Sequence, residues 1–403
     1  MTTPGGRGGK VIRVTSLADS GPGSFREALL TKGPRVVVFA IGGIIDLKKD
    51  ITVREPYLTL AGQSAPGDGI CLRGAALRIA THDVIVRYLR VRVGDDPNGP
   101  NPDNRDGIGI SDPKSVPHHI VLDHCSVSWA IDENVQLWYP CHDITIQWCL
   151  IAESLEHSLH PKGAHGMGLL VGDHARRISI HHNLLAHHMD RSPLLKGDTL
   201  AEVVANVVYN WRNHGTALTD LEGSGPHAAV IRDNLYLPGP QTRAGQPGIT
   251  LQRDVKAGSS VVVSGNVLPG LPPDAVLNRS TIAVVPAAEP AEARIQRTSA
   301  GELFELVLTR AGASRPFRDE ADARVVQAVR DRGGRLIDRP ADVGGWPAYR
   351  GGSPAPDRDG DGLPDSWEQA HGLNPANPAD AAQLAASGYS WIEVYLDELA
   401  AGS

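Results

Sequence analysis

The sequence has no excess of positive charge, few cysteines and no long apolar run. Lysine and arginine number 39 against 46 aspartates and glutamates, and the resulting net charge of −7 argues against a general nucleic-acid-binding protein. A local group of cations is still compatible with binding to an acidic substrate. No apolar stretch reaches the roughly 20 residues that a transmembrane helix needs, so no membrane span is expected.

The cysteines form no C-x-x-C pair and have no zinc-binding spacing. Two of them occupy matching places in successive repeats of the sequence. We therefore predict four buried thiols rather than a disulfide, at Cys71, Cys125, Cys141 and Cys149.

A secretory leader is also missing from the sequence. Met1 leads directly into a glycine-rich polar segment, without the charged and apolar regions of a signal peptide. Two interpretations stay open on this evidence: a cytoplasmic protein, or a secreted protein whose leader has been removed.

A repeated pattern of β-branched residues occupies much of the first 270 residues. Each unit has a β-branched triplet, two or three polar or aromatic residues, a small polar residue or cysteine, and then aliphatic residues. Because no helical pattern intervenes, repeated units with variable insertions indicate a solenoid whose coils stack into parallel sheets. A β-sandwich is the rival, but hairpin signals are few. We predict an all-β fold, a right-handed parallel β-helix over residues 1–275, from units at residues 84–91, 120–127, 144–151, 178–185, 203–208, 230–236 and 261–268.

The small polar position of the repeat is asparagine in four units. Its place between two strands predicts a bend, where the left-handed backbone conformation suits asparagine. At one coil spacing, roughly 4.8 Å, such side chains can hydrogen-bond along the stack. We expect one file of Asn183, Asn206, Asn234 and Asn266, with Cys125 and Cys149 in the same file.

The composition changes after the repeats. Residues 272–290 are a connector rich in proline and alanine, and residues 303–311 and 319–330 have helical periodicity. Residues 357–368 carry acids at positions 1, 3, 5, 9 and 12 with glycine at position 6, the ligand spacing of an EF-hand-type calcium loop. We predict a C-terminal extension over residues 276–403, packed on the β-helix, with a structural Ca²⁺ held by Asp357, Asp359, Asp361, Asp365 and Glu368.

Acidic residues also lie in successive units of the repeat. Stacked coils bring residues that are distant in sequence to one coil spacing, so we expect these side chains to converge on one face. Converging hard oxygen ligands suit Ca²⁺, whereas the alternative is a solvated acidic rim. The predicted calcium site consists of Asp106, Asp132, Glu133 and Gln136.

Two cations flank a proline in the segment 178–196. Pro193 fixes its own φ and biases the residue before it to an extended shape. On a flat strand Arg191 and Lys196 would face opposite ways, and a turn at the proline would bring them to one side.

The loop at residues 153–166 is long, irregular and dense in histidine, and such loops are usually functional. Metal binding by His157, His160 and His165 stays open. A contact of Lys162 with a substrate anion is favoured, and we place Lys162 and His157 among the substrate-binding residues.

Seven segments carry a family resemblance: residues 5–9 (GGRGG), 20–24 (SGPGS), 60–67 (LAGQSAPG), 123–129 (DHCSVSW), 181–183 (HHN), 191–193 (RSP) and 388–396 (GYSWIEVYL). Together they resemble the pectate lyase superfamily, polysaccharide lyase family 1, in its secreted bacterial branch, over nearly the whole chain. The resemblance implies a right-handed β-helix and calcium-dependent β-elimination of 1,4-linked galacturonan, giving unsaturated oligogalacturonides. It implies a secreted protein with an acidic polysaccharide partner. We expect a monomer with no nucleic-acid or membrane partner.

Site residues follow from the resemblance by position. Arg191 resembles the family's catalytic base and Lys196 its second, substrate-binding cation. Asp106 and Asp132 resemble its calcium-site acids.

The chain departs from the family pattern in two places. Gln136 stands where a further calcium carboxylate is common, and Glu133 is expected to compensate. The family's lysine before the His-His-Asn strand has no direct match, and Lys162 is the best candidate.

The expected chemistry needs both a cation site and a base. Removing the C5 proton of a uronate builds negative charge beside its carboxylate, and Ca²⁺ and side-chain cations stabilise that charge. Because the pKa of arginine exceeds about 12, Arg191 as the base predicts an alkaline activity optimum.

Three other functions stay open. A galacturonan hydrolase would use Asp106 and Asp132 as paired carboxylates, but the motif of Arg191 and Lys196 would then be unexplained. A lyase acting on another uronate polymer and a non-catalytic carbohydrate-binding β-helix are the remaining two.

Overall fold

The chain folds as a parallel β-helix. The structure is a computed structural model that describes residues 2–270, 277–278, 295 and 298–402. Equivalent strands of successive coils pair in parallel to form three long sheets. The predicted all-β solenoid is therefore confirmed.

The strands are short, mostly three to six residues. In chain order they are β1 (Lys10–Val14), β2 (Arg35–Phe39), β3 (Gly43–Asp46), β4 (Ile51–Val53), β5 (Leu58–Ala61), β6 (Ile70–Arg73), β7 (Leu77–Ile79), β8 (His82–Arg87), β9 (Arg90–Arg92), β10 (Ile108–Ile110), β11 (His118–Asp123), β12 (Ser126–Ser128), β13 (Glu133–Leu137), β14 (His142–Gln147), β15 (Leu150–Ala152), β16 (Met167–Val171), β17 (Arg176–His181), β18 (Leu184–Ala186), β19 (Leu194–Leu195), β20 (Leu200–Val204), β21 (Val207–Tyr209), β22 (Thr216–Leu218), β23 (Ala228–Arg232), β24 (Leu235–Leu237), β25 (Ile249–Leu251), β26 (Ser260–Ser264) and β27 (Leu277–Asn278).

The described helices lie near the start of the chain and after the coils. They are α1 (Phe25–Leu29), α2 (Ala300–Arg310), α3 (Glu320–Arg330), α4 (Asp365–Ala370) and α5 (Trp391–Ala401). Short 3₁₀ turns occupy Gly62–Ser64, Pro102–Asn104 and Pro340–Val343.

Each sheet stacks equivalent strands of successive coils. The first sheet has the order β1-β2-β5-β8-β11-β14-β17-β20-β23-β26, and the second has the order β27-β25-β22-β19-β16-β13-β10-β7-β4. The third sheet has the order β24-β21-β18-β15-β12-β9-β6-β3.

The core is a column of aliphatic side chains inside the coils. In the first sheet, Val84, Ile120, Ile144 and Ile178 are paired in register across four strands, and each is almost completely buried. Burying one such side chain contributes about 1.5–3 kcal/mol, so the β-branched triplets of the sequence specify the inner face of each coil.

The predicted asparagine file is present and fully hydrogen-bonded. The side-chain oxygen of Asn206 accepts from the backbone and side-chain amides of Asn183, each at 2.9 Å, and Asn206 donates in turn to Asn234 at 2.9 and 3.0 Å. Asn234 donates likewise to Asn266. The backbone amide of Cys149 donates to Asn183 at 2.8 Å, which places that cysteine in the same file.

The prediction of a left-handed backbone at asparagine is wrong. The positive φ angles belong to the residue before it, as at His182 (56°), Ala205 (53°) and Asp233 (56°). The preceding residue makes the bend, and this leaves each asparagine side chain inside the coil, aligned with the next coil. The rings of Trp148 and His182, both at such bends, stack with their centroids 4.4 Å apart in a separate file.

We expect Asn206→Ala to lower the free energy of unfolding by about 3 kcal/mol. The change removes the acceptor of two buried amide donors of Asn183, and each unsatisfied donor costs about 1–3 kcal/mol. Urea unfolding followed by circular dichroism measures the effect. Asn98→Ala, at an exposed loop residue, is the matched control and is expected to stay within about 0.5 kcal/mol of the original protein. Equal stability of the two variants would contradict the role of the file.

The four cysteines are buried free thiols, as predicted. Cys125 and Cys149 belong to the same hydrophobic core as the aliphatic column. Burial raises the pKa of the Cys141 thiol to about 12, which keeps this side chain protonated at neutral pH.

The C-terminal segment packs on the outside of the β-helix. Leu303 and Val307 of α2 and Val325 of α3 contact outward-facing residues of the third sheet, such as Leu150 and Leu184. Strands β15, β18, β21 and β24 of the third sheet are therefore buried on both faces. Both predicted helices are confirmed, although α2 begins earlier than expected because Ser299 and Glu302 form a capping box.

A buried ion-pair group also joins α3 to the β-helix. Arg92 of β9 lies 2.6 Å from Asp319 and 2.7 Å from Asp322. Removing one partner from such a group costs about 3–5 kcal/mol, so the attachment of α3 is specific.

The predicted domain boundary at residues 275–276 and most of the connector at 272–290 lie outside the described residues. Among the helices that the structure describes, none combines the length and the apolar character needed to cross a membrane.

Candidate active site

A groove of about 750 Å³ crosses the outer side of the second sheet, from β4 to β19. The inward residues of these strands, such as Leu169, belong to the core, so the groove is formed by the alternate residues, such as Gln136 and Leu170. Its charged and histidine lining consists of Arg54, Arg78, Asp103, Asp112, Asp132, Glu133, Lys162, His165, Arg191, Lys196 and Glu222.

Three predicted calcium-site acids come together at one edge of the groove. Asp106 lies two residues before β10, and Asp132 and Glu133 lie at the start of β13, which pairs with β10. One oxygen of each carboxylate lies within 4.8 Å of the others, and all three residues are buried. The backbone amide of Glu133 donates to Asp106 at 3.3 Å, which fixes the two coils in this register.

The electrostatics of the three acids favour a bound cation. Burial, together with the charge of Asp132, raises the pKa of Asp106 to about 7, although Arg78 acts in the opposite direction. Clustered carboxylate oxygens are the ligands that Ca²⁺ prefers, so this donor set fits the ion. Two guanidinium groups already contact the acids: Arg78 lies 3.4 Å from Asp106, and Arg191 contacts Glu133. A divalent ion would compete with both contacts.

Gln136 lies next to Glu133 and does not extend the acid cluster. Its side-chain amide donates to Glu133 at 3.2 Å, and its own side chain lines the groove. A neutral amide therefore orients one of the acids at the place where a fourth carboxylate was expected.

Arg191 is held across two coils. Its carbonyl oxygen accepts from the amide of Leu169 at 2.6 Å, and its own amide donates to Asp190 at 2.7 Å. Its φ is 65°, in the left-handed region that other non-glycine residues of this chain also adopt, as at His182. Burial lowers the pKa of the Arg191 guanidinium below its ordinary value, although Asp132 and Asp106 oppose the shift.

Gly168 of β16 packs against the backbone of Arg191 and the ring of His188. A Cβ atom there would lie 2.5 Å from the carbonyl oxygen of Arg191 and 2.5 Å from the ring of His188. Both neighbours are fixed by buried contacts, so only glycine fits between the coil that carries Glu133 and the coil that carries Arg191.

Lys196 lines the same groove as Arg191, so the turn around Pro193 does bring both cations to one side. Its ammonium group lies 2.8 Å from both Asp173 and Glu222 and 4.4 Å from the centre of the Trp138 ring. These contacts hold the charge at one place in the groove.

The histidine-rich loop divides between two places. Lys162 and His165 line the groove, and His165 lies 2.8 Å from Asp132. The ring of His160 stacks on that of His165 at 3.8 Å. His157 lies apart, with its ring nitrogen 3.2 Å from Asp338 on the exposed surface, and it does not line the groove.

Sequence reasoning did not assign His165 to the acid cluster. The density of histidines in the loop was the only signal, and it does not distinguish the residue that contacts Asp132 from the one that contacts Asp338.

The second predicted calcium site lies in the C-terminal segment, outside the groove. Oxygens of Asp357, Asp359 and Asp361 cluster within 4.8 Å, and so do oxygens of Asp361, Glu368 and Asp380. The spacing of residues 357–368 did not reveal Asp380. Asp365 belongs to neither group, and its carboxylate accepts from the amide of Arg358 at 2.8 Å.

Solved structures have a similar fold at low sequence identity. The cedar pollen allergen jun a 1 has a TM-score of 0.57 and 15% identity over 77% of this chain and 90% of its own. A pectate lyase from Bacillus sp. N165, solved in complex with trigalacturonate, has a TM-score of 0.53 and 15% identity over 77% and 95%. These likenesses support the β-helical architecture.

Sequence relatives are much closer. Proteins named probable pectate lyase C from Neosartorya fischeri and Aspergillus fumigatus are 34% identical over 410 residues, covering 98% of this chain and 90% of each relative. The corresponding protein of Aspergillus terreus is 33% identical over 99% of this chain and 91% of its own. These relatives are fungal, so the predicted bacterial branch is not confirmed. No protein-family model matches the chain. With this identity over nearly the full length of both proteins, the chain belongs to the pectate lyase family of polysaccharide lyases.

Proposed function

We propose that the chain is a calcium-dependent pectate lyase, which cleaves 1,4-linked galacturonan by β-elimination and releases unsaturated oligogalacturonides. The observation that carries the proposal is the meeting of three buried carboxylates with Arg191 and Lys196 in one open groove. The polymer is an acidic polysaccharide, and the trigalacturonate bound to a structural relative supports this class of substrate.

Asp106, Asp132 and Glu133 would hold the calcium ion, because their oxygens converge; Asp132 and Glu133 line the groove and Asp106 is buried beside them. Ca²⁺ bound there would neutralise the uronate carboxylate and the charge that develops beside it. His165, at 2.8 Å from Asp132, orients that carboxylate towards the groove.

Lys196 and Lys162 bind the acidic polymer. Lys196 is fixed over the Trp138 ring, and its partner Glu222 is half exposed, so a uronate carboxylate can replace Glu222 at the ammonium group. Lys162 contributes a further positive charge at the groove wall. The proposed contact of His157 with substrate stays a prediction that the groove geometry does not support.

Arg191 acts as the base in this proposal. In its neutral form it takes the C5 proton of the uronate, and the electron pair of the C5–H bond forms the C4–C5 double bond as the C4–O bond breaks. The leaving oxygen takes a proton from solvent. The burial that lowers the pKa of Arg191 makes its neutral form more accessible, and the activity is expected to rise into the alkaline range.

We further assign the chain to polysaccharide lyase family 1, to the secreted enzymes of that family and to those that act as monomers. The 34% identity with probable pectate lyases supports the membership of the pectate lyase family, whereas secretion and the monomeric state stay predictions.

Ultraviolet absorbance of polygalacturonate incubated with the protein tests the proposal. Absorbance from the unsaturated product should grow in the presence of calcium, stop when a chelator is added, and return when calcium is restored in excess. New reducing ends without absorbance would instead establish a hydrolase. The absence of both signals would contradict the proposed substrate. The remaining functions would then be a lyase acting on a different uronate polymer or a binding protein.

A further inference from the structure

The acidic loop of the C-terminal segment is separate from the groove and has no part in the proposed reaction. Backbone amides of the loop donate hydrogen bonds to its own carboxylates. The amides of Gly360 and Gly362 donate to Asp357 at 2.8 and 3.1 Å, and the amide of Leu363 donates to Asp361 at 2.9 Å. The loop therefore turns its carboxylates inward.

Several of these inward carboxylate oxygens have no partner within the described residues. Both oxygens of Glu368 are buried without a hydrogen bond, and so are one oxygen of Asp359 and one of Asp380. Glu368 is 0% exposed, and Asp361 and Asp380 are 4% and 3% exposed. A buried carboxylate without a partner is strongly destabilising, so a cation bound between these atoms would stabilise the loop.

The charges of the loop act on one another. Oxygens of Asp361, Glu368 and Asp380 lie within 4.8 Å of one another, so their negative charges repel. Arg13 lies 3.2 Å from Asp357, an acid outside the group of Asp361, Glu368 and Asp380.

We propose that Asp357, Asp359, Asp361, Glu368 and Asp380 form a calcium site that fastens the C-terminal segment to the first coils of the β-helix. Carboxylates alone provide the donors, and a flexible all-oxygen set of this size suits Ca²⁺ better than Mg²⁺ or a transition metal. The site joins an acid from the turn after α4, Asp380, to four acids of the loop before and within α4.

The position of the loop explains why the site fastens the segment. Leu363 belongs to a buried cluster with Val36 and Val38 of β2 and Ile392 and Leu396 of α5.

Gly362 packs so closely on β1 that a Cβ atom there would lie 2.9 Å from the side chain of Val11. Its φ of 94° also requires glycine. The bound ion would therefore hold a loop that covers the N-terminal coils directly.

Counting the calcium ions bound per chain tests the site. We expect Glu368→Gln and Asp380→Asn each to bind one ion fewer than the original protein in equilibrium dialysis with atomic emission detection. Asp365→Asn is the matched control: it removes an acid of the same loop that lies outside the cluster, and it should lose no ion. The difference of one ion is expected whether or not the groove also binds calcium, so the result is independent of the proposed function. No loss of an ion in either variant would overturn the proposal.

Limited proteolysis of the unaltered protein gives a second test that needs no variant. Arg358 lies inside the loop and is exposed, so trypsin can cleave after it when the loop opens. We expect a chelator to increase the rate of cleavage at Arg358 at least tenfold, and excess calcium to reverse the change. Equal rates in calcium and in chelator would mean that no ion holds the loop.

Discussion

Replacing Arg191 with alanine is expected to lower kcat on polygalacturonate about 10²–10⁴-fold, because a positioned base contributes about that factor to such reactions. Arg191→Lys is expected to keep part of the activity, since lysine can also accept a proton and has the lower ordinary pKa. The rate of increase in ultraviolet absorbance at saturating calcium measures both variants. Their pH profiles should differ, with the lysine variant reaching its maximum at lower pH.

Arg177→Ala is the matched control for this experiment. Arg177 lies on the first sheet, away from the groove, where it pairs with Asp143 at 2.5 Å. It should leave kcat unchanged. If Arg191→Ala kept the original kcat while its fold was intact, Arg191 would not be the base.

The second large effect is expected from Asp132→Asn. Asp132 belongs to the cluster of Asp106, Asp132 and Glu133 and contacts His165. It would therefore be a calcium ligand whose orientation His165 fixes. Loss of a partner that only orients a metal ligand weakens metal binding about 10–100-fold, so loss of the ligand charge should raise the half-saturating calcium concentration at least about a hundredfold. Activity titrated with calcium gives this value.

Stability in a chelator separates this effect from damage to the fold. Because Asp132 raises the pKa of Asp106 through repulsion, its neutralisation should not lower the melting temperature when calcium is absent. Asp143→Asn, the partner of the arginine control, should leave the calcium titration unchanged. An unaltered half-saturating concentration in Asp132→Asn would exclude the groove cluster as the calcium site.

The sequence allowed the coils to be predicted because their inner face is repetitive. The triplets around Val84, Ile120 and Ile144 all place β-branched residues at the same buried positions. The recurrence of this pattern identifies the equivalent strands of successive coils. The asparagine file followed from the same periodicity. The residue that takes the bend could not be deduced, since a small polar residue suits either the left-handed position or the hydrogen-bonded file. Asn183 occupies the file, and His182 takes the bend.

The candidate site was predictable where it follows the coils and not where it depends on loops. Asp106 lies just before β10 and Glu133 begins β13, the adjacent strand of the same sheet, so coil stacking alone brings them together. His165 and Asp380 reach their acid clusters through irregular segments, whose paths depend on packing that no spacing rule encodes.

The attachment of the last helix to the first coil has a consequence for biosynthesis. Arg7 lies 3.0 Å from Glu393 of α5, and Val36 and Val38 are covered by Ile392 and Leu396 of the same helix. A solenoid can begin to fold wherever neighbouring repeats meet, so the N-terminal coils can form while the ribosome is still translating the rest. Their outer face stays uncovered until α5 has been synthesised. The nascent chain therefore exposes an apolar surface throughout elongation, and we expect chaperones to recognise it there.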